Sequence, residues 1–499
     1  METGLTKNKI LSELSRSPHG KLTEYIPVGQ VAAQQEPEFL AHLIAWDKVN
    51  GQVRDAKVAI PIVSLSVPTY PDEFVENSLA HLGLLSPREL LKSYRFALSF
   101  PSTTKQVRLP GRMRKVTKVI SAYLKEREED KRNFDRVAIQ HRHTLKELYA
   151  LCHIKPNARA NAILFKGEKP AGSVFEAVSL LGSMSPTEAA GTILERKIPF
   201  LIAMGALGKK AKEADLVLAL INRMSPTELV TNTKMLEKLG IKTNPALRGA
   251  YESALQKAAS SKQGSFKATR AIEAMEDETI KEKLRGLQEK QIEHLGNVEG
   301  NWLVLGDKSG SMVYALELAR RVASTLSKMV KGKIWLVFFD THPTALDVTG
   351  KSLDEILKMT KYVTANGGTS IGCGLNYLLE RKEEIDGIAI ISDGGENNSP
   401  YFPDVYKRYA EWSGKYVPVY LYHCEGDNPA LIKTMNTAGI DMQVFDMKKQ
   451  KVDYYSLPNL IKTMRTNRYS LVDEVMQSKL LKLEDVFKST HMEVFGVSA

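Results

Sequence analysis

Cysteine is nearly absent from this 499-residue chain: only Cys152, Cys373 and Cys424 occur, and no two form a C-x-x-C pair. That excludes a disulfide framework or a cysteine-based zinc site as the organising principle, and a reducing compartment fits best. No uncharged apolar run reaches membrane-spanning length, and the opening METGLTKNKILSEL has no apolar core of signal-peptide length. The expectation is a soluble, cytoplasmic protein with no membrane partner. A G-x-x-x-x-G-K-[ST] phosphate loop and an H-E-x-x-H pair are also missing, and no serine nucleophile elbow is expected before a helix. The chain therefore reads as a non-enzyme.

Charge is present but unevenly spread. The chain has 69 Lys and Arg against 58 Asp and Glu, a net charge of +11. Residues 301–499 hold 24 of each sign, whereas residues 101–250 hold 27 basic against 14 acidic side chains. A local excess of cations is what a polyanion-binding surface requires, because Lys and Arg that neutralise phosphates release condensed counterions. At this length one core is not enough, and two or three domains are expected.

Before residue 300 the alternation of β-branched residues is mostly lacking and helical spacing prevails. PEFLAHLIAWDKV (37–49), PRELLKSYRFAL (87–98), MRKVTKVISAYLKE (113–126), LKELYALC (145–152) and IPFLIAMGAL (198–207) all carry apolar residues at helical intervals. A start signal recurs in LSPREL (85–90), MSPTEA (184–189) and MSPTEL (224–229). Each places Ser to cap a helix, Pro at its first position and Glu to close a capping box. The last two lie about 40 residues apart, within the period of HEAT-like helix pairs. An α-solenoid is the expected architecture. Tyr123, Phe134 and Tyr149 lie among basic residues, but their helical spacing favours a place in the core.

After residue 300 the pattern changes. NWLVLGD (301–307), KIWLVFFD (333–340), GIAIISD (387–393), YVPVYLYH (416–423) and MQVFDM (442–447) are apolar runs of strand length, separated by segments long enough for crossover helices. This alternation predicts a doubly wound parallel sheet, whose ligand site lies beyond the carboxyl ends of its strands. Asp307 and Asp393 each stand just past such an end. With Ser309 and Ser311 of LGDKSGSM and Thr369 of NGGTS they make an all-oxygen ligand set, suited to a hard cation such as Mg²⁺.

In these residues the segment resembles the von Willebrand factor A domain and its metal-ion-dependent adhesion site. The D-x-S-x-S motif falls on Asp307, Ser309 and Ser311, the family threonine on Thr369 and the second aspartate on Asp393. The resemblance implies direct metal contact by the serines and, in some members, the threonine. It implies aspartates acting mainly through water, and a partner's acidic group completing the shell.

A second resemblance covers the helical part. GRMRKVTKVISAYL (111–124) with TLKELYALCHIKP (144–156), then RKIPFLIAMGAL (196–207) and ELVTNTKMLEKLGI (228–241), look like the TROVE domain of the Ro ribonucleoprotein family. The resemblance implies an all-α ring of HEAT-like repeats over residues 1–298, followed by an α/β von Willebrand A domain over residues 299–499. Its function would be that of a ribonucleoprotein scaffold in RNA quality control or processing, binding small noncoding Y-like stem-loop RNA and the single-stranded ends of misfolded RNA. A nuclease or another protein supplying an acidic ligand is a further expected partner.

Residue by residue, His153 in C-H-I-K-P occupies the family's histidine at the RNA surface, and Arg136 a basic position upstream. Gln140 departs from the next basic position, with Arg142 near enough to supply the charge and His141 beside it. Lys155 joins this group; Arg112, Arg114, Lys115 and Lys118 form a second, and Lys209 and Lys210 belong to a third, in a loop. The alternative is a metal-dependent protein-binding adaptor in which the solenoid grips a protein.

Overall fold

The computed structural model describes residues 7, 10, 11, 14, 21–50, 54–103, 112–259, 278–293, 298–424, 428–440, 442–446 and 468–488. By contact the chain divides into two compact units, one of Met1–Gly20, Gly51–Ala56 and Ile292–Gln477, the other of Lys21–Asn50, Lys57–Gln291 and Ser478–Ala499. Residues 260–277, within the region expected to be helical, lie outside the described residues.

The larger unit is helical. Its principal helices here are α1 (Asp72–Gly83), α2 (Arg112–Glu129), α3 (Lys131–Leu151), α4 (Pro186–Glu195), α5 (Ala214–Arg223) and α6 (Pro245–Ala259). In α2 the buried residues Val116, Val119, Ile120, Tyr123 and Leu124 recur at helical spacing, while Arg114, Lys115 and Lys118 stay exposed. Each fully buried aliphatic side chain of this kind contributes roughly 1.5–3 kcal/mol. Helix α1 packs on α2, α2 on α3, α4 on α5 and α5 on α6. Leu216, Val217, Leu220, Leu229, Leu236, Ile241 and Tyr251 fill a shared core between the later helices.

The three Ser-Pro-x-Glu signals act as helix starts. The Ser185 and Ser225 hydroxyls accept from the backbone N–H of Glu188 and Glu228, and each glutamate accepts from its serine's N–H. Ser86 and Glu89 make the same reciprocal pair. Such a box satisfies two donors that a helix start leaves open.

The carboxyl-terminal segment departs from the expected boundary. Residues 478–488 belong to the helical unit, not to the domain expected over 299–499. Asn77, fully buried on α1, accepts from Leu481 N–H at 2.8 Å and donates to Ala41 O at 2.9 Å. Glu76 accepts from Leu483 N–H at 3.0 Å, His42 Nδ1 donates to Ser478 O at 2.7 Å, and the Phe487 ring lies over Gly83.

The second unit is a six-stranded sheet: β1 (Trp302–Asp307), β2 (Ile334–Phe339), β3 (Pro343–Asp347), β4 (Gly387–Ser392), β5 (Val419–His423) and β6 (Met442–Asp446), in the order 3-2-1-4-5-6. β1, β2, β4, β5 and β6 pair in parallel, but β3 runs antiparallel to β2. The sheet is therefore mixed, where the sequence led us to expect a parallel one. Only residues 340–342 join β2 to β3, too few for a crossover, so the chain must turn back.

β1 and β4 are fully buried along their length, as expected of strands covered on both faces. Gly306 allows the helix α7 (Val313–Met329) to lie close on the sheet, since a Cβ there would meet that of Ala319 at 2.7 Å. The strand order reverses between β1 and β4, the position at which such sheets open a crevice.

Candidate metal centre and basic surface

Register brings the two aspartates together. β1 pairs with β4 so that Gly306 faces Ile391, which sets Asp307 level with Ser392 and one residue from Asp393. The Ser392 hydroxyl donates to Asp307 Oδ2 at 2.6 Å, and the Ser309 N–H to Oδ1 at 2.9 Å. Burial raises the Asp307 pKa, those hydrogen bonds oppose the rise, and the like charge of Asp393 adds to it.

Thr369 reaches the same end of the sheet through an interlocked set of loops. Its N–H donates to Asn397 Oδ1 at 2.9 Å, and its carbonyl accepts from the N–H groups of Asn397 and Asn398. Asn366 N–H donates to Lys308 O at 2.7 Å, joining the threonine loop to the D-x-S-x-S loop. The Lys308 ammonium is turned aside onto Asp340 at 2.6 Å. Ser309 and Thr369 are buried, Asp393 is half-buried and Ser311 is exposed in the turn before α7.

Sequence reasoning missed the residues that brace this site. Ser392 directly precedes Asp393, and the polar run GGENNSP (394–400) holds Glu396 and Asn397. The Glu396 carboxylate accepts from Gly372 N–H at 2.9 Å and Phe402 N–H at 3.0 Å. It thereby joins the starts of α8 (Gly372–Glu380) and α9 (Phe402–Ser413). Burial pushes its pKa up to about 7, against the backbone donors that lower it. His423 Nε2 donates to Asp393 O at 2.6 Å. Polar residues after a strand of the GIAIIS type were the available signal.

The residues fit a hard cation through hydroxyl and carboxylate oxygens. Among the described residues no cluster of three His, Cys, Asp or Glu side chains is placed to hold a metal. A cation here would rest on Ser309, Ser311 and Thr369 hydroxyls, with Asp307 and Asp393 supplying the charge. Contrary to expectation, a G-x-S-x-G pattern does precede a helix: GTSIG at 368–372. Its Ser370 is fully buried and its hydroxyl donates to Pro400 O at 2.8 Å, which is not the exposed, base-activated arrangement of a nucleophile.

In the helical unit the basic candidates divide. Arg114, Lys118, Arg136, Gln140, Arg142, His153, Lys155 and Lys209 are exposed, and exposed Lys115 lies 3.7 Å from Asp72. Arg112 instead donates to the carbonyls of Val67 at 2.6 Å and Tyr70 at 2.9 Å, which commits its guanidinium to bracing the chain after residue 65. Lys210 donates to Gly182 O at 2.7 Å. His141 sits at a non-helical position within α3, half-buried, and burial lowers its pKa. Tyr123, Phe134 and Tyr149 are core residues, as their spacing suggested. His153 has φ of +53°, and the following Ile154 N–H closes the end of α3 on Tyr149 O at 3.0 Å.

No helix among the described residues is long and apolar enough to cross a membrane. No protein-family model and no curated protein matches the sequence. Among solved structures the chain is similar to the crystal structure of the Deinococcus radiodurans Ro (RSR) protein, at 13% identity and a TM-score of 0.62, covering 90% of this chain and 98% of that one. A helix-rich part followed by a sheet domain is the architecture implied by the Ro resemblance, and the chain shares the fold of the Ro protein.

Proposed function

We propose that this protein is a non-catalytic RNA-binding scaffold of Ro type, whose helical unit holds small structured RNA and whose sheet unit carries a divalent-cation site. The observation that carries the reading is the segregation of charge. The basic excess of residues 101–250 emerges in the exposed side chains of Arg114, Lys118, Arg136, Arg142 and Lys155, joined by exposed His153, while residues 301–499 are neutral. Duplex RNA is recognised mainly through its backbone and shape, which exposed cations can follow, whereas unpaired ends offer their bases as well. The Ro likeness supports Y-like stem-loops and misfolded RNA ends as the ligands. Arg112 and Lys210 are left out of the surface because each donates to two or more backbone carbonyls, whereas Arg142 donates a single N–H to Leu164 O at 3.3 Å and keeps the rest of its guanidinium exposed.

Mg²⁺ at Asp307, Ser309, Ser311, Thr369 and Asp393 would supply a Lewis-acidic point to which a partner's carboxylate binds. Ser311 and Val313, 70% exposed, leave that end of the sheet accessible to a protein such as a nuclease. The metal-dependent adaptor is thus a second activity of the same molecule. Sequencing of RNA that co-purifies with the native protein tests the main reading. Recovery of an abundant small structured RNA supports it, and a preparation free of RNA shifts the function to the adaptor.

A further inference from the structure

We propose that Lys308 is a positioning residue for the cation site: it withholds Asp340 from the cation and so keeps one coordination position open for an acidic partner. The inference rests on the metal reading above and deepens it by naming what leaves that position open.

Register places a third aspartate beside the two already assigned. Asp307 at the end of β1 pairs with Phe339, so Asp340 stands one residue past its level on the β2 side. Asp393 stands one residue past it on the β4 side. The buried carboxylate of Asp307 is thus flanked by an aspartate on either hand, at the carboxyl ends of three neighbouring strands. Asp340 offers a hard cation the same carboxylate chemistry as Asp393.

What separates the two is Lys308. Its ammonium donates to Asp340 Oδ2 at 2.6 Å and the His342 N–H donates to Oδ1 at 2.7 Å, so both carboxylate oxygens are engaged. The two side chains are only 15% and 18% exposed, and removing one partner of an ion pair so far from water leaves the other charge uncompensated. Backbone bonds fix the pair from three directions. Lys308 N–H donates to Phe339 O at 2.8 Å, Asn366 N–H to Lys308 O at 2.7 Å and Ser370 N–H to Asp340 O at 2.7 Å. Gly367, with φ of +89°, lies against the Asp340 side chain, where a Cβ would come to 3.4 Å. The pair therefore ties the D-x-S-x-S loop, the end of β2 and the threonine loop together.

Charge decides the consequence. Asp307 and Asp393 balance a divalent cation, while the Ser309, Ser311 and Thr369 hydroxyls are neutral. Asp340 is balanced by Lys308 and adds nothing. With Asp340 released into the shell there would be a third carboxylate, and a partner's carboxylate would meet both a filled position and an excess of negative charge. Lys308 thus favours an acidic group from outside, and metal binding is weaker than three carboxylates would give.

The test uses the full-length protein and Mn²⁺, which takes the same oxygen ligands as Mg²⁺ and whose coordinated waters are counted by water-proton relaxation. Lys308→Met removes the charge and keeps much of the side chain's length. It should bind Mn²⁺ about tenfold more tightly than the parent, with about one fewer coordinated water. Because Asp340 is then a buried, unpaired charge, this variant should unfold at a lower temperature than the parent without metal and regain the difference with saturating Mn²⁺. Asp340→Asn keeps the shape of the pair and an acceptor for Lys308, so it tests the same point without disturbing the fold; its water count should equal the parent's. The double variant Lys308→Met with Asp340→Asn should return to the parental water count and to within about twofold of the parental affinity. Tighter binding by Lys308→Met without loss of a water would reduce Lys308 to a through-space charge and overturn its positioning role, as would a water gained in Asp340→Asn. Unchanged or weaker binding by Lys308→Met would overturn it as well and leave the cation site standing. A parent that binds no Mn²⁺ overturns both.

Discussion

The Ser392 hydroxyl donates to the buried carboxylate of Asp307 at 2.6 Å, across the seam where β1 and β4 lie side by side. This bond orients an anion that has no exposed surface of its own. Ser392→Ala is expected to weaken Mg²⁺ binding by about tenfold, since groups that orient a metal's ligands typically carry effects of that size. Isothermal titration of the full chain with Mg²⁺ measures this, and an unchanged dissociation constant would remove Ser392 from the site.

Asp307→Ala should abolish Mg²⁺ binding altogether while RNA affinity stays within about twofold, because the basic surface belongs to the other unit. Removing a buried anion whose donors remain also has a structural effect, so the variant's far-UV spectrum serves as the folding control. Equal metal occupancy in variant and parent would contradict the assignment.

Glu396 predicts a pH dependence. Its folded-state pKa is raised to about 7 from the ordinary 4.5, so the folded form binds the proton more tightly than the unfolded chain does. Its contribution to stability is therefore complete below about pH 4.5 and declines as pH rises through 7, by a few kcal/mol at most. Glu396→Gln keeps an oxygen for Gly372 N–H and Phe402 N–H and removes the titration. The variant should match the parent near pH 5 and unfold at a higher temperature near pH 8. Thermal unfolding at the two pH values checks the sign, and a variant less stable than the parent at pH 8 would contradict it.

These residues mark where the sequence was readable and where it was not. Asp307, Ser309, Ser311, Thr369 and Asp393 were visible because the motif falls at the ends of apolar runs, and strand ends are easy to place. Ser392 and Glu396 were not, because their roles depend on strand register and on which loops meet. β3 was missed for a related reason: PTALD has no apolar alternation, and its place at the sheet edge is set by the short turn at 340–342. In the helical unit spacing separated Val116, Val119 and Tyr123 from Arg114 and Lys118. It did not reveal that Arg112 is spent on carbonyls, since hydrogen-bond partners more than 40 residues away leave no local pattern. The return of residues 478–488 to α1 rests on Asn77 and Glu76, with His42 and the Phe487 ring, whose partners lie in distant parts of the sequence and leave no local pattern.

Asn77→Ala tests that return. The substitution leaves Ala41 O and Leu481 N–H without their partner in a buried setting, at a cost of about 2–3 kcal/mol. It should also render the segment from residue 478 onward more sensitive to limited proteolysis. Unchanged stability together with an unchanged cleavage pattern would show that the segment is held by other contacts.

RNA binding by the helical unit depends, in the function proposed above, on its exposed cations. Filter binding of a labelled stem-loop RNA to the full chain, titrated at several salt concentrations, tests it most directly. Affinity should fall steeply with salt, and the double variant Arg136→Ala with His153→Ala should lose about tenfold or more at low salt. Affinity that is independent of salt, or a double variant that binds as tightly as the parent, would contradict it.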